Sequence, residues 1–212
     1  MVGEAIANSR PRLTARGAAT RARIVDVAAE LMYVKGVEAT TLGEILIAGA
    51  ASKSQFRQHF ADKDDLVRAV IAFRAKEVLD KQTRRLEKIV SFRGLEQWRD
   101  ALLQRSVLRR GAWGCELGSL SSELSDRDDH ARGQLNDAFQ DWERLLAEAF
   151  VRMRDRSVLR DDIDPAAMAT SVMAAVQGGY LLAQLAHDSA PMKLALDMAL
   201  GYVRSFRTPR GA

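Results

Sequence analysis

The chain has 212 residues, of which 47% are hydrophobic and 28% are charged. This is typical of a soluble globular protein with one large domain or two small ones. Its single cysteine, Cys115, excludes an intramolecular disulfide and indicates a reducing compartment, so we expect a cytoplasmic protein. The net charge of +4 is uneven, because residues 1–60 carry eight Lys and Arg against five Asp and Glu.

The chain begins with a basic segment, residues 1–19, which we expect to be a flexible arm. Five arginines and no acidic residue lie between Ala5 and Val25. Such an arm suits contact with phosphate, and a solvated start to the chain is an equal alternative for the first dozen residues. No apolar run follows the first charges, so no signal peptide is expected.

The first predicted helix runs from Thr20 to Lys35. Its apolar residues follow the spacing of one buried helical face, and Gly36 is placed to end it. Thr41 and Glu44 then form a capping-box pattern, in which the hydroxyl accepts from a backbone N–H and the carboxylate accepts in return. This pattern predicts a short helix through Ala48.

A second capping-box pattern, Ser52 to Gln55, predicts another short helix ending near His59. Small residues at 48–51 join the two helices. Two short capped helices with such a joint are typical of a helix-turn-helix. By itself this pattern is only a moderate indication of DNA binding, because many helical proteins contain such a pair of helices without binding anything.

The rest of the chain also predicts helices, and no strand pattern is evident. Asp62 is placed to cap a long fourth helix that extends toward Val90. The later predicted helices are Leu95–Arg109, a short helix that ends near Leu124, Asp126–Arg154, Pro165–His187 and Pro191–Phe206. We therefore expect an all-α fold with a DNA-binding domain at 20–62 and a second helical domain at 63–212.

The segment from Pro165 to His187 contains no Asp, Glu, Lys or Arg. Its length would nearly span a bilayer, but it also contains Thr, Ser, Gln and two glycines. We therefore expect a helix buried in the core or in a subunit interface, and no membrane partner. The adjacent Gly178 and Gly179 suggest close helix contact across a dimer, with a hinge as the lesser alternative.

The stretch from Ala50 to Ala61 contains no acidic residue. In a helix-turn-helix the second helix lies in the major groove, with its N-terminal residues near base edges. That end of the helix offers unpaired N–H groups and a positive dipole to phosphate. An acidic side chain there would repel the DNA backbone, which gives a physical reason for its absence.

Residues Thr20–Leu79 resemble the DNA-binding domain of the TetR family of transcriptional regulators. The resemblance rests on the Gly36–Thr41 turn, on SKSQFRQHF at 52–60 and on DKDDL at 62–66. It implies a homodimer that binds a palindromic operator, with a C-terminal domain that dimerises through 165–187 and 191–206. It also implies release by a small effector, which we expect to be apolar or aromatic, and therefore repression as the most frequent outcome.

Carried over by position, the resemblance implies a set of DNA-binding residues. These residues are Thr41, Ser52, Lys53, Ser54, Gln55, Arg57, Gln58, His59 and Lys63. Thr41 and Lys63 are expected at phosphates, and Phe56 and Phe60 are expected to anchor the helix. Arg57 departs from the family, which usually has Tyr there; the arginine either takes guanine bidentately or pairs with phosphate.

Several residues of the C-terminal part are candidates for an effector pocket. They are Trp98, Trp113, Cys115, Phe139, Trp142, Met173, Gln177 and Tyr180. Aromatic and Met residues at helical spacing are more often plain core, but some of this group are expected to face a ligand in a TetR-like domain. Cys115 has no partner cysteine, so packing beside the pocket is favoured over a redox role.

Other kinds of site find little support in the sequence. The three histidines lie far apart without metal-ligand spacing, and the Asp groups at 126–129 and 161–164 suit helix capping better than a cation. We expect no metal, no cofactor and no enzymatic activity, because no phosphate loop or catalytic triad pattern occurs. The alternative is a helical small-molecule-binding or enzymatic protein whose helix-turn-helix is only scaffold.

Overall fold

The computed structural model describes residues 14–209, which form nine helices and no strand. The all-α prediction is therefore confirmed over this range. The helices are α1 (Ala15–Lys35), α2 (Leu42–Ala48), α3 (Lys53–His59), α4 (Lys63–Leu86), α5 (Phe92–Leu108), α6 (Glu116–Leu124), α7 (Asp129–Asp155), α8 (Pro165–Ala186) and α9 (Ala190–Ser205).

Two helices begin several residues earlier than predicted. Helix α1 begins at Ala15 rather than Thr20, because the Thr14 hydroxyl accepts a hydrogen bond from the Gly17 N–H and caps the helix. The predicted arm therefore includes one turn of helix at its end, and its first thirteen residues lie outside the described range. Helix α5 begins at Phe92 rather than Leu95, since Ser91 caps it through the Gly94 N–H.

The acidic residues before α4, α7 and α8 act as helix caps. The carboxylates of Asp62, Asp128 and Asp164 accept backbone N–H groups in the first turns of these helices. This confirms the capping interpretation of the Asp-rich segments. Within residues 14–209, no group of three or more His, Cys, Asp or Glu side chains has a metal-binding arrangement.

Helices α1–α3 form the N-terminal end of the molecule, and α4 joins them to the rest by packing on α1, α6 and α7. Phe56 and Phe60 are buried with their ring centroids 5.3 Å apart, as expected for anchors of α3. The Arg23 Nε donates to the Gly49 carbonyl oxygen at 2.7 Å, which fixes the turn between α2 and α3 against α1. The position of α3 is thus set by both apolar and polar contacts.

Helix α8 lies between α7 and α9 in the C-terminal part. Among the described helices it alone is apolar and long enough to span a membrane, with a mean hydropathy of 1.3. Much of its surface instead packs on the two neighbouring helices, which accounts for its lack of charge. The prediction of a core helix is therefore consistent with its packing.

One face of the α8–α9 pair remains uncovered in the single chain. It carries the exposed side chains of Leu181, Leu182, Leu185, Leu194, Met198 and Tyr202. Leu185 is 72% exposed and Met198 is 64% exposed, which is unusual for side chains of this size. We name this surface the α8–α9 face; a contiguous apolar patch of this kind is characteristic of a protein interface.

The two adjacent glycines of α8 have different surroundings. A Cβ atom on Gly179 would lie 2.8 Å from the Met192 Sδ and 3.0 Å from the Ala195 Cβ. A Cβ atom on Gly178 would have nothing within 4 Å. Gly179 therefore permits close packing of α8 on α9 within one chain, contrary to the expectation of contact across a dimer, whereas Gly178 faces open space.

We predict that Gly179→Ala lowers the free energy of unfolding by roughly 1–3 kcal/mol, because the added methyl group overpacks the α8–α9 contact. The matched control is Gly133→Ala in α7, where a Cβ atom would have nothing within 4 Å. That change should stabilise the protein by roughly 0.5–1 kcal/mol through helix propensity. Urea unfolding at one fixed protein concentration compares the two, and equal stabilisation by both would refute the packing argument.

Candidate nucleic-acid interface and ligand groove

Helix α3 has the local structure predicted from its capping box. The Gln55 N–H donates to the Ser52 Oγ at 3.1 Å, and the Ser52 N–H donates to the Gln55 Oε1 at 2.9 Å. The same reciprocal pair occurs at α2 between Thr41 and Glu44. Both capping boxes are therefore confirmed, and they orient the N-terminal turns of α2 and α3.

Most side chains predicted to contact DNA lie on the surface at this end of the molecule. Exposed members of the set are Thr41, Ser52, Lys53, Ser54, Arg57 and Gln58. Gln55 is half-buried, since its side chain is used in the cap. The structure thus brings a cluster of donors to one surface, on which α3 itself carries no acidic side chain, while the Glu44 carboxylate at Thr41 is occupied in capping α2.

His59 differs from this expectation. Its side chain is only 8% exposed and packs against the Phe60 ring in an edge-on arrangement, with centroids 6.4 Å apart. This position makes it mainly an anchor at the end of α3. The sequence pattern did not distinguish it from its exposed neighbours because the helix is so short.

Arg57 lies beside a groove of about 280 Å³ that is bordered by α2, α3 and the start of α4. Lys53 and Lys63 line the same groove. The Asp62 carboxylate also borders it but is occupied in capping α4 through the Asp65 N–H at 2.7 Å. Three cationic side chains therefore converge on one concave surface.

Two hydrogen bonds from different helices hold the turn between α1 and α2, and both are made to Val37. The Lys63 Nζ at the start of α4 donates to the Val37 carbonyl oxygen at 2.7 Å. The Val37 N–H donates to the Glu123 Oε2 at the end of α6, also at 2.7 Å. The turn requires Gly36, which ends α1 with a φ of 89° and lies against the Glu123 carboxylate.

A second concavity, the α6–α8 groove, has a volume of about 290 Å³. Its lining residues are Gly114, Cys115, Gly118, Ser119, Ser122, Gln177, Gly178, Tyr180, Leu181 and Gln184. The lining includes amides, hydroxyls, a thiol and a phenol, but no Asp, Glu, Lys or Arg. A groove with this chemistry suits an uncharged molecule with a few hydrogen-bonding groups.

Three predicted pocket residues line this groove, namely Cys115, Gln177 and Tyr180. The other five do not line it. Trp98, Trp142 and Met173 are buried in the core, Phe139 is partly buried against it, and Trp113 is 44% exposed to solvent. The indole of Trp98 donates to the Gln82 Oε1 at 2.9 Å, which satisfies its N–H inside the core.

Sequence reasoning missed the polar and small residues of the groove. Ser119, Ser122 and Gln184 read as ordinary solvated positions of amphipathic helices. Only the packing of α6 beside α8 brings them to one concave surface. The glycine-rich stretch at 111–118 could have indicated this groove, because its glycines let the chain pass close to α8.

Cys115 forms part of the floor of this groove and is buried. Burial raises the pKa of its thiol, and the neighbouring Glu116 carboxylate acts in the same direction. A thiol held in its protonated form is a poor nucleophile at neutral pH. The surroundings of Cys115 therefore favour packing over redox chemistry.

A network of charged side chains lies behind the groove. The Arg105 guanidinium pairs with the buried Glu116 carboxylate. Burial disfavours the charged form of Glu116, but the charge and hydrogen bond of Arg105 outweigh it and hold the pKa of the carboxyl below its ordinary value. The carboxylate is thus kept ionised by its partner.

Tyr33 of α1 connects this network to the groove. Its hydroxyl donates to the Gly114 carbonyl oxygen at 2.9 Å and accepts from the Arg109 Nη1 at 2.6 Å. Burial raises the pKa of the phenol to about 12, so the hydroxyl keeps its proton for donation. The N-terminal helices are therefore hydrogen-bonded directly to a lining residue of the α6–α8 groove.

Two family models match the chain. The model described as bacterial regulatory proteins of the tetR family matches residues 24–70. The model described as a tetracyclin repressor-like C-terminal domain matches residues 95–199. Together they include α2, α3 and the α6–α8 groove.

Individual proteins show the same similarity over nearly the whole chain. An uncharacterized HTH-type transcriptional regulator in the lacX 3' region of Lactococcus lactis subsp. lactis is 27% identical over 84% of this chain and 90% of its own length. The HTH-type transcriptional repressor DhaR of Mycobacterium sp. (strain GP1) is 21% identical over 81% of this chain and 86% of its own. A regulator crystal structure from Cytophaga hutchinsonii superposes with a TM-score of 0.80 at 19% identity, covering 94% of this chain and all of that one.

We predict that Glu116→Gln lowers the free energy of unfolding at neutral pH by up to roughly 3–5 kcal/mol, because it leaves the Arg105 charge without its partner. The folded-state pKa of Glu116 lies below its ordinary value of 4.5. The stabilisation is therefore present above that pH and is lost as the pH falls, so the difference between the two proteins should shrink in acid.

Urea unfolding of both proteins at pH 7 and near pH 3.5 measures this difference. The control is Glu148→Gln on the exposed side of α7, which should change the stability by no more than about 0.5 kcal/mol. A Glu116→Gln penalty that grows toward acid pH would contradict the assignment of the buried pair.

Proposed function

Because the chain belongs to the TetR family of transcriptional regulators, whose members bind DNA and dimerise through their C-terminal domains, we propose that it is a ligand-responsive repressor. It binds a palindromic operator as a homodimer, and a small uncharged effector releases it. The observation that carries the proposal is α3 itself, whose exposed side chains lie on a capped helix without acidic residues. We place the protein in the cytoplasm, where its operator is found.

The proposed base-reading surface is the exposed side of α3. Lys53, Ser54 and Gln58 supply donors and acceptors that reach base edges in the major groove. Thr41 and Ser52 lie at the first turns of α2 and α3, where backbone N–H groups favour phosphate. His59 is left out of the reading set because it is buried.

Arg57 is assigned to a phosphate rather than to a base. It shares a groove with Lys53 and Lys63, and a concave cluster of cations suits an anion such as a backbone phosphate group. Lys63 uses part of its donor capacity on the Val37 carbonyl oxygen, and an ammonium has three N–H donors. It can therefore hold the turn and contact phosphate at the same time.

The proposed dimer interface is the α8–α9 face. Its leucines, Met198 and Tyr202 are too exposed and too contiguous for a surface that stays in water. A twofold dimer through one self-complementary face positions two copies of α3 for two half-sites. Their spacing should be about 34–36 Å or a multiple of it.

The proposed effector site is the α6–α8 groove. Its lining is mostly apolar, contains a few hydrogen-bonding groups and has no charged side chain, which suits the expected apolar or aromatic effector if that molecule also carries a few hydrogen-bonding groups. Because the effector must prefer one of two subunit arrangements, its binding shifts the population away from the arrangement that fits the operator.

The connection from this groove to DNA runs through Val37. Helix α6 lines the groove with Ser119 and Ser122, and one residue further on it holds the Val37 N–H through Glu123. Lys63 holds the carbonyl oxygen of the same residue. A shift of α6 on effector binding would therefore move the turn that positions α2. It would also act on Lys63, which bonds to the same turn and is proposed to contact phosphate.

Selection of bound duplexes from a random pool tests the proposed function. We expect a palindromic consensus whose half-sites have the spacing above, and retention that falls steeply with salt. Equal, weak retention of the selected and a scrambled duplex would refute it and favour a ligand-binding protein whose helix-turn-helix is scaffold.

We predict that Arg57→Ala weakens operator binding by roughly 1–3 kcal/mol and reduces the salt slope by about one, with the same sequence preference as the native protein. A phosphate contact acts equally on every sequence, which is the reason for the unchanged preference. Binding to the selected duplex and to single-base variants over a salt series measures both quantities.

The control for Arg57 is Arg144→Ala, an exposed arginine of α7 far along the chain from α3. It should leave binding unchanged. Relaxed preference at one base pair in Arg57→Ala would assign the side chain to guanine instead.

We predict that Glu123→Ala weakens operator binding by roughly 1 kcal/mol, in the range of mutations that act between sites, without changing the salt slope. The change leaves the Val37 N–H without its acceptor and loosens the turn, but it removes no cation from the interface. Hydrogen exchange at the Val37 amide should accelerate, whereas Glu148→Ala in α7 should alter neither measurement. Unchanged operator affinity despite faster exchange would show that the turn does not position the DNA-binding residues.

A further inference from the structure

A third concavity, the α4–α5 groove, lies where the end of α4 meets the start of α5. It has a volume of about 240 Å³ and is lined by Arg85, Lys88, Ile89, Gly94, Gln97 and Trp98. The lining contains two cationic side chains and no Asp or Glu. The groove is therefore electropositive, unlike the α6–α8 groove, whose lining has no charged side chain.

The two cations of this groove have little structural use for their charge. Arg85 and Lys88 are exposed. Within the described part of the chain, Lys88 approaches only the adjacent Glu87 carboxylate, at 3.9 Å, and no carboxylate pairs with Arg85. The end of α4 is held instead by Arg152, whose guanidinium donates to the Leu86 carbonyl oxygen at 2.7 Å. Arg85 and Lys88 thus keep their donors for another group.

The rest of the lining offers apolar surface and one amide. Trp98 is buried and its Nε1 donates to the Gln82 Oε1, so only its ring carbon atoms remain for contact with a ligand. Ile89 is also buried, and Gly94 has no side chain to fill the groove. Gln97 is exposed, and its amide can donate to an anionic oxygen. A ligand that fits this lining has an anionic group at one end and an apolar body at the other.

We propose that the α4–α5 groove binds a small phosphate monoester with an apolar body. A guanidinium and an ammonium together match the charge of about −1.5 to −2 that such an ester carries at pH 7, whereas a carboxylate matches only one of them. The small volume and the apolar floor favour a small molecule over a nucleic-acid backbone.

This site lies at the opposite end of α4 from Lys63. Helix α4 has 24 residues, and at 1.5 Å per residue its ends are about 36 Å apart. A phosphate ester in the α4–α5 groove therefore does not compete with DNA for the same cations. The site is also separate from the α6–α8 groove, so the proposal does not depend on the effector or the operator.

Isothermal titration calorimetry with phenyl phosphate, at fixed ionic strength in a phosphate-free buffer, tests the site. We expect a dissociation constant below about 1 mM at pH 7.5, and roughly tenfold weaker binding of both phenyl sulfate and inorganic phosphate. Phenyl sulfate has the same ring with a single negative charge, and inorganic phosphate lacks the ring.

The pH dependence of binding gives a second measurement. The affinity for phenyl phosphate should fall about fourfold from pH 7.5 to pH 5.5, as the ester loses its second charge with a pKa of about 6. The lining contains no His, Asp or Glu, so the fall reports the ligand, and phenyl sulfate should show none.

The test variant is Arg85→Gln/Lys88→Gln, which should weaken phenyl phosphate binding at least about tenfold, because it removes both charge-assisted contacts. The control is Arg132→Gln/Arg144→Gln, which removes the same charge from exposed positions of α7 and should bind as the native protein does. Circular dichroism must show equal helix content in all three proteins.

The outcomes decide where phosphate binds. Weaker binding in the Arg85→Gln/Lys88→Gln variant but not in its control, with native preference for phosphate over sulfate, would support the site. Equal native affinity for the two phenyl esters would overturn it, whatever the variants show. Binding that is lost in Lys53→Gln/Arg57→Gln instead would assign phosphate to the DNA-contacting surface. Inorganic phosphate that binds as tightly as phenyl phosphate would overturn the role of the apolar floor.

Discussion

Two hydrogen bonds to the backbone of Val37 are the constraint that couples the N-terminal helices to the C-terminal part of this molecule. Lys63 at the start of α4 holds its carbonyl oxygen, and Glu123 at the end of α6 holds its N–H. A residue whose N–H and carbonyl oxygen are each held by a charged side chain has little conformational freedom, because both hydrogen bonds are charge-assisted. The turn that leads into α2 therefore moves with α4 and α6 or not at all.

The charged groups near the α6–α8 groove have a structural role that leaves the groove itself uncharged. Arg105 and Glu116 neutralise each other behind the lining, and Arg109 is directed to the Tyr33 hydroxyl. Arg74 is similarly paired with Glu30 and Glu77 between α1 and α4. Charge is thus used to join the N-terminal helices to the rest of the molecule, where a buried pair requires a defined geometry.

Local patterns predicted the elements of this fold because their causes are local. The two capping boxes, the Asp caps of α4, α7 and α8, and the glycine after α1 each depend on residues within one turn of helix. The predicted start of a helix was wrong where the capping residue was less obvious. Thr14 and Ser91 cap α1 and α5, and both helices begin earlier than the apolar spacing suggested. The Gly36–Thr41 turn and the spacing of SKSQFRQHF and DKDDL likewise indicated the family without knowledge of the packing.

The sequence by itself determined the helices, their caps and the candidate DNA-contacting end, because hydrogen bonding and hydrophobic periodicity act over a few residues. Tertiary structure alone decided which side chains share a surface. It buried His59, placed Trp98 and Trp142 in the core, and brought Ser119, Ser122 and Gln184 into one groove. The physical reason is that a groove depends on how two helices distant in sequence pack together, and an aromatic residue at helical spacing has the same pattern whether it faces a ligand or the core.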